Sequence, residues 1–168
     1  ENFHRSSLDI IYEIIYKNFA KYFDDLVINN GVKIKIFGSR NNLPKKILDI
    51  FENIENLSLK NNSLNLNIAF NYGFKHEIKK VLNKVKDSSL EIDLNNDQEI
   101  DKLFDIGTFP DPDILIRTGG YKRLSNFIMY NLTYTELFFT DTLWPDFSEK
   151  EFHDIIKKYS NISRKYGL

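Results

Sequence analysis

The 168-residue chain contains no cysteine. Disulfide scaffolds, thiolate metal sites and cysteine nucleophiles are therefore excluded. It also lacks an excess of charge of either sign. Its formal net charge is −1, so no basic field recruits nucleic acid, and no nucleic-acid partner is expected. No apolar run approaches the roughly 20 residues that a membrane-spanning helix needs. The first ten residues, ENFHRSSLDI, have neither the basic nor the apolar region of a secretory leader, so a cytoplasmic location is expected. No G-x-G-x-x-G, P-loop or nucleophile-elbow sequence occurs, which argues against nucleotide binding and serine hydrolysis. The three histidines, His4, His76 and His153, are scattered, match no metal-ligand spacing and read as surface residues.

What is present is the composition of a globular protein: 42% hydrophobic and 28% charged residues, in a length that suits a single domain over residues 1–168. Asparagine is abundant and often paired, as at Asn29-Asn30 and Asn61-Asn62, and reads as loop filler. Helical and strand periods alternate along the chain. Leu8, Ile11, Ile15, Phe19, Tyr22, Phe23 and Leu26 describe an amphipathic helix over 8–28, with Ser6 and Asp9 as a capping box and Gly31 just past its end. VKIKIF (32–37) and LNLNIAF (64–70) alternate as strands. Between them Pro44 opens a helix with Ile47, Leu48, Phe51 and Ile54 on one face. A third helix should turn Ile78, Val81, Leu82 and Val85 inward, and a short one is expected near 97–105. DILIR (113–117) reads as a buried parallel strand, and TELFFTD (135–141) is a further strand candidate. A last helix starts at Ser148, boxed by Glu151, with Phe152, Ile155, Ile156 and Tyr159 inward. The order predicts an α/β fold with a mostly parallel central sheet flanked by helices. Ligands in such sheets sit beyond the carboxyl ends of the strands.

The densest polar cluster there is DPDILIRTGGYKRLSN, residues 111–126. Arg117 ends a strand, two glycines follow, and Arg123 and Ser125 come next. Two guanidinium forks and a hydroxyl around a flexible turn suit a phosphate or diphosphate. The competing reading pairs Arg117 with Asp111 or Asp113 and leaves the glycines only to turn the chain. Glu136 is a carboxylate in an otherwise apolar strand, where it is costly unless paired or metal-bound. It is either a Mg²⁺ ligand facing a diphosphate or a salt-bridge partner of Arg117 or Arg123. Trp144-Pro145 with Phe147 reads as a packed corner.

DPDILIRTGGYKRLSNF followed by YTELFFTDTLWPDF closely resembles the C-terminal signature of the cis-prenyltransferases of the undecaprenyl diphosphate synthase type. The resemblance extends through LNLNIAFNYG and VKIKIFGSRNNLP to ENFHR at the start. It implies a transferase that condenses isopentenyl diphosphate onto an allylic diphosphate such as farnesyl diphosphate, uses Mg²⁺ and works as a homodimer. It implies peripheral contact with a membrane for product release. By resemblance, Arg117, Arg123 and Ser125 hold isopentenyl diphosphate and Glu136 helps place Mg²⁺. Asn2 and Arg5 lie near the reacting centre, and Leu64 lies at the floor of the tunnel for the growing chain. The tail Arg164-Lys165-Tyr166-Gly167 resembles a basic C-terminus that reaches the partner's site.

There are departures. No Asp-Gly-Asn occurs, although in the family that segment binds Mg²⁺ and the allylic diphosphate. The chain therefore reads as the C-terminal two-thirds of such an enzyme, lacking the family's first strand and early helices, and this polypeptide alone is expected to be inactive. Phe3 stands where tryptophan is usual and Tyr121 where glutamate is usual. Phe74 and Lys75 stand for Gly and Arg. Two alternatives are a non-catalytic partner subunit of a heteromeric prenyltransferase and a general α/β anion-binding module.

Overall fold

A computed structural model of the chain describes residues 5–87 and 91–164, with the backbone alone at 5–8 and 19–21. The chain divides into two compact units, Glu1–Tyr72 and Gly73–Leu168. Each contains one pair of parallel strands, so the expected parallel pairing is present but falls into two short sheets among the described residues.

In the first unit, α1 (Arg5–Asp24) runs into a π-helical turn at Asp25–Asn29. Ser6 lies inside this helix rather than at its cap. Gly31 follows with φ +62°, the left-handed geometry expected of a glycine past a helix end. β1 (Val32–Phe37), α2 (Lys45–Ser58) and β2 (Leu64–Ala69) form a strand–helix–strand unit, with Val32 opposite Leu64 and Phe37 opposite Ala69. α2 starts immediately after Pro44, whose missing N–H costs nothing at a helix start. Its stripe of Ile47, Phe51 and Ile54 packs with Val27, Val32, Ile34 and Ile36 into an aliphatic core, all at 6% exposure or less.

The edge of β1 is protected by side chains of α2. Ile34 N donates to Ser58 Oγ at 3.0 Å and Ile36 N to Glu55 Oε1 at 2.8 Å. Buried backbone donors need such partners. Asparagine is more than filler here, because Asn61 Nδ2 donates to the carbonyls of both Val27 and Val32.

The second unit contains α3 (Phe74–Lys86), the short α4 (Asp97–Asp101), β3 (Ile114–Arg117), β4 (Glu136–Phe139) and α5 (Glu149–Ser160). Ile114 pairs with Glu136 and Arg117 with Phe139. The face that α3 turns inward matches the expected one only in part: Val81 is buried and Ile78 half-buried. Leu82 is 62% exposed and Val85 is 38% exposed, while Glu77 is buried. Glu77 Oε1 accepts from Asp105 N and Ile106 N, Lys80 pairs with Asp105, and Lys84 Nζ donates to Leu103 O. The irregular segment 103–106 presents unpaired backbone groups, and the helix turns a polar stripe towards them.

α5 corrects its expectation in the same way. Ile155 is buried, whereas Phe152 and Ile156 remain exposed. Ser148 caps the helix by accepting from Glu151 N at 3.2 Å. The Glu151 carboxylate does not close the box. It accepts from the hydroxyls of Thr140 and Thr142. Trp144 stacks on Phe147 in a 3₁₀ turn but is 74% exposed, so the corner is not packed into a core. His76 and His153 are exposed, as expected, and His4 lies outside the described residues.

Candidate substrate-binding site

The second unit brings Arg117, Arg123 and Ser125 together. Arg117 is the last residue of β3, so its side chain leaves from the carboxyl end of the sheet. The ladder continues past the strand ends: Thr140 N donates to Arg117 O, Gly120 N to Thr140 O and Gly119 N to Thr142 O. Gly119 and Gly120 sit at φ +88° and +79°, where a side chain would be strained. The turn sends the chain back so that Ser125 Oγ accepts from Arg117 Nη1 at 2.9 Å and from Arg123 Nε at 3.1 Å. Arg117 Nη1 also donates to the carbonyl of Arg123.

Ser125 and Asn126 both hold left-handed backbone, at φ +49° and +61°. A non-glycine residue there stores on the order of 1 kcal/mol or more, kept only where neighbours enforce it. The enforcement is visible. Asn126 O accepts from Phe74 N and Asn126 Oδ1 from Lys75 N, both at 2.9 Å, tying the loop to the start of α3. The departures at Phe74 and Lys75 therefore leave this anchorage intact, because it uses their backbone amides.

The competing ion pairs do not form. Asp113 pairs with Arg164, and Asp111 accepts from Asn131 Nδ2 at 3.0 Å. Neither Arg117, Arg123 nor Glu136 takes part in an ion pair among the described residues. Two guanidinium groups sharing one hydroxyl repel each other by roughly 1 kcal/mol even in bulk water. Held together without a carboxylate, they have the charge and the donors to take an anion. The adjoining cavity, about 330 Å³, is lined by Leu115, Ile116, Thr118, Leu124 and Phe127 beside Arg117 and Ser125. It places an apolar wall next to the cationic clamp.

The other candidates are not brought to this cluster. Glu136 opens β4 opposite Ile114, three register steps from Arg117 and on the opposite face of the sheet. Leu64 opens β2 in the first unit and is 60% exposed. Arg5 is the first residue of α1, described by its backbone alone. Asn2 and Lys165–Gly167 lie outside the described residues. Sequence reasoning missed the role of Tyr121, whose ring lies beneath both arginines, with centroid distances of 4.3 Å to Arg123 Cζ and 5.9 Å to Arg117 Cζ. An aromatic residue inside a basic, glycine-rich turn was the available signal.

Known proteins resemble the chain over nearly its whole length. A family model described as "Putative undecaprenyl diphosphate synthase" matches residues 1–167. The chain belongs to this family, the cis-prenyltransferases. The isoprenyl transferase of Aquifex aeolicus is 34% identical over 99% of this chain and 72% of its own length. A Pyrococcus furiosus relative is named tritrans,polycis-undecaprenyl-diphosphate synthase (geranylgeranyl-diphosphate specific). It is 35% identical over 99% of this chain and 66% of its own. Among solved structures, lavandulyl diphosphate synthase from Lavandula x intermedia, in complex with dimethylallyl diphosphate, superposes with a TM-score of 0.90. That match has 28% identity and covers 99% of this chain and 74% of the other. The protein is thus a prenyltransferase with an α/β fold. No described helix is long and apolar enough to cross a membrane.

Proposed function

We propose that the protein condenses isopentenyl diphosphate onto an allylic diphosphate such as farnesyl diphosphate, giving an undecaprenyl-type diphosphate. The observation that carries this reading is the convergence of Arg117 and Arg123 on Ser125 Oγ beside an apolar-walled cavity. The forks and the hydroxyl suit the diphosphate of isopentenyl diphosphate, and Leu115, Leu124 and Phe127 suit its five-carbon tail. In this reading the protein's own contribution is to bind and orient that substrate, so that its double bond meets the allylic partner in one geometry.

Mg²⁺ is the proposed cofactor. It supplies charge neutralisation of the departing allylic diphosphate. Glu136, half-buried and without an ion pair, suits one ligand position for a hard cation. No group of three or more acidic or histidine side chains able to hold a metal occurs among the described residues. In this proposal Glu136 supplies one carboxylate, and the rest of the shell is substrate oxygen and water. We further propose a cytoplasmic homodimer that uses the β4 region, where Leu137 is 45% exposed. Light scattering at micromolar concentration reads that assembly. The 168-residue polypeptide holds no Asp-Gly-Asn, and we expect it to show no condensation by itself in an assay with farnesyl diphosphate and Mg²⁺. Asn2, Arg5 and Leu64 are proposed to serve the allylic substrate and the product tunnel.

Arg123→Ala tests the clamp. Loss of a charge-assisted contact worth roughly 1.5–3 kcal/mol weakens isopentenyl diphosphate binding about tenfold to a hundredfold by calorimetry. Arg123→Lys does not fully rescue it, because an ammonium lacks the planar fork. A lowered melting temperature with unchanged affinity would mean that the arginines are structural only.

A further inference from the structure

We propose that Tyr121 is a positioning residue of the clamp, its ring face being the platform that holds Arg117 and Arg123 together for the two phosphoryl groups of a diphosphate. The proposal rests on the diphosphate reading above and goes beyond it in assigning a cause to the geometry.

Arg123 Cζ stands 4.3 Å from the ring centroid and Arg117 Cζ 5.9 Å, both inside the range of cation–π attraction. The ring belongs to no core: Tyr121 is 56% exposed. Its hydroxyl makes no hydrogen bond to the described residues, so the face of the ring is the part in use. Its backbone position is fixed from outside the loop, because the preceding amides of Gly119 and Gly120 are held by the carbonyls of Thr142 and Thr140.

The ring's quadrupole attracts both guanidinium groups without cancelling their charge. Tyr121 thus offsets the repulsion between the arginines and leaves two full positive charges facing the cavity side of the turn.

Calorimetry of inorganic diphosphate and inorganic phosphate with the 168-residue chain tests this. Tyr121→Leu should weaken diphosphate about three- to fivefold and phosphate by less than about twofold, so that selectivity between the two anions falls. Tyr121→Phe should restore both values to within about twofold of the parent. Melting curves of the two variants should overlay that of the parent, since the ring is exposed. A purely structural role predicts lowered melting with selectivity retained, and that result overturns the proposal. So does a loss in Tyr121→Phe equal to that in Tyr121→Leu, which would make the hydroxyl the active group. Arg123→Ala, run alongside, separates the two levels. If Arg123→Ala weakens diphosphate while Tyr121→Leu binds like the parent, the diphosphate reading stands and the platform falls. If Arg123→Ala also binds like the parent, both fall.

Discussion

The two parallel strand pairs of this protein were built from similar residues and put to different uses. In the first, Val32, Ile34 and Ile36 of β1 are all buried against α2, and Phe37 is buried too. In the second, each residue of β3 is only half-buried and Leu137 of β4 is 45% exposed. Yet ILIR and ELFF are as apolar as VKIKIF. An apolar parallel strand that stays half open has surface left for something else to cover. The open sheet is also the one whose carboxyl end holds the arginines, the paired glycines and two adjacent residues in left-handed backbone. The first sheet spends its residues on an aliphatic core; the second places two guanidinium groups, without an ion pair among the described residues, at its carboxyl end.

The sharpest way to break this contrast is in the core. Phe51→Ala removes a ring that is 1% exposed and should cost about 3–5 kcal/mol in urea unfolding. Leu137→Ala in the open sheet should cost under about 1 kcal/mol at concentrations below those at which the chain associates, because the side chain is already 45% exposed there. Equal losses at the two positions would erase the distinction.

A smaller effect sharpens the link between strain and site. Asn126→Ala removes the bond to Lys75 N and places alanine at φ +61°. We expect a loss of about 1–2 kcal/mol together with weaker diphosphate binding, since Ser125 loses its support. Asn126→Gly, free to adopt that φ, should recover part of the stability. Full stability in Asn126→Ala would show that the loop needs no anchor.

The smallest effect concerns pH. Burial first, and then the Asp101 carboxylate that accepts its hydrogen bond at 2.7 Å, push the Tyr130 phenol up from 10.0 to about 12. A phenol whose pKa is raised on folding contributes stability that is complete below about pH 10. That contribution fades as pH climbs from about 10 to about 12. Melting curves of the parent and Tyr130→Phe should therefore keep a constant separation up to about pH 10 and converge above it. A separation unchanged at pH 12 would exclude this linkage.

Much of the architecture was legible because local rules and burial agreed. Alternation with lysine marked β1 to the residue, and Ile47, Phe51 and Ile54 marked the buried face of α2. Where they disagreed, periodicity misled. Leu82 and Val85 fit a helical stripe, but the backbone of 103–106 needed hydrogen-bond partners and drew Glu77 and Lys84 towards it instead. Burying an unpaired amide costs more than exposing a leucine, and that balance is invisible until the segment that carries the amide is in place.

The site divides along the same line. Spacing alone brought forward Arg117, Arg123 and Ser125, because a strand end, two glycines and a short return leave few places for the second arginine to go. By itself the sequence determined the elements, the turn and the family, all properties of neighbouring residues and their order. Tertiary structure decided that the arginines share one hydroxyl rather than pair with Asp111 or Asp113, that Glu136 lies on the opposite face of the sheet, and that Tyr121 lies beneath the clamp. Those outcomes depend on which groups compete for each partner across the folded chain, and that competition exists only once residues distant in sequence are within a few ångströms of one another.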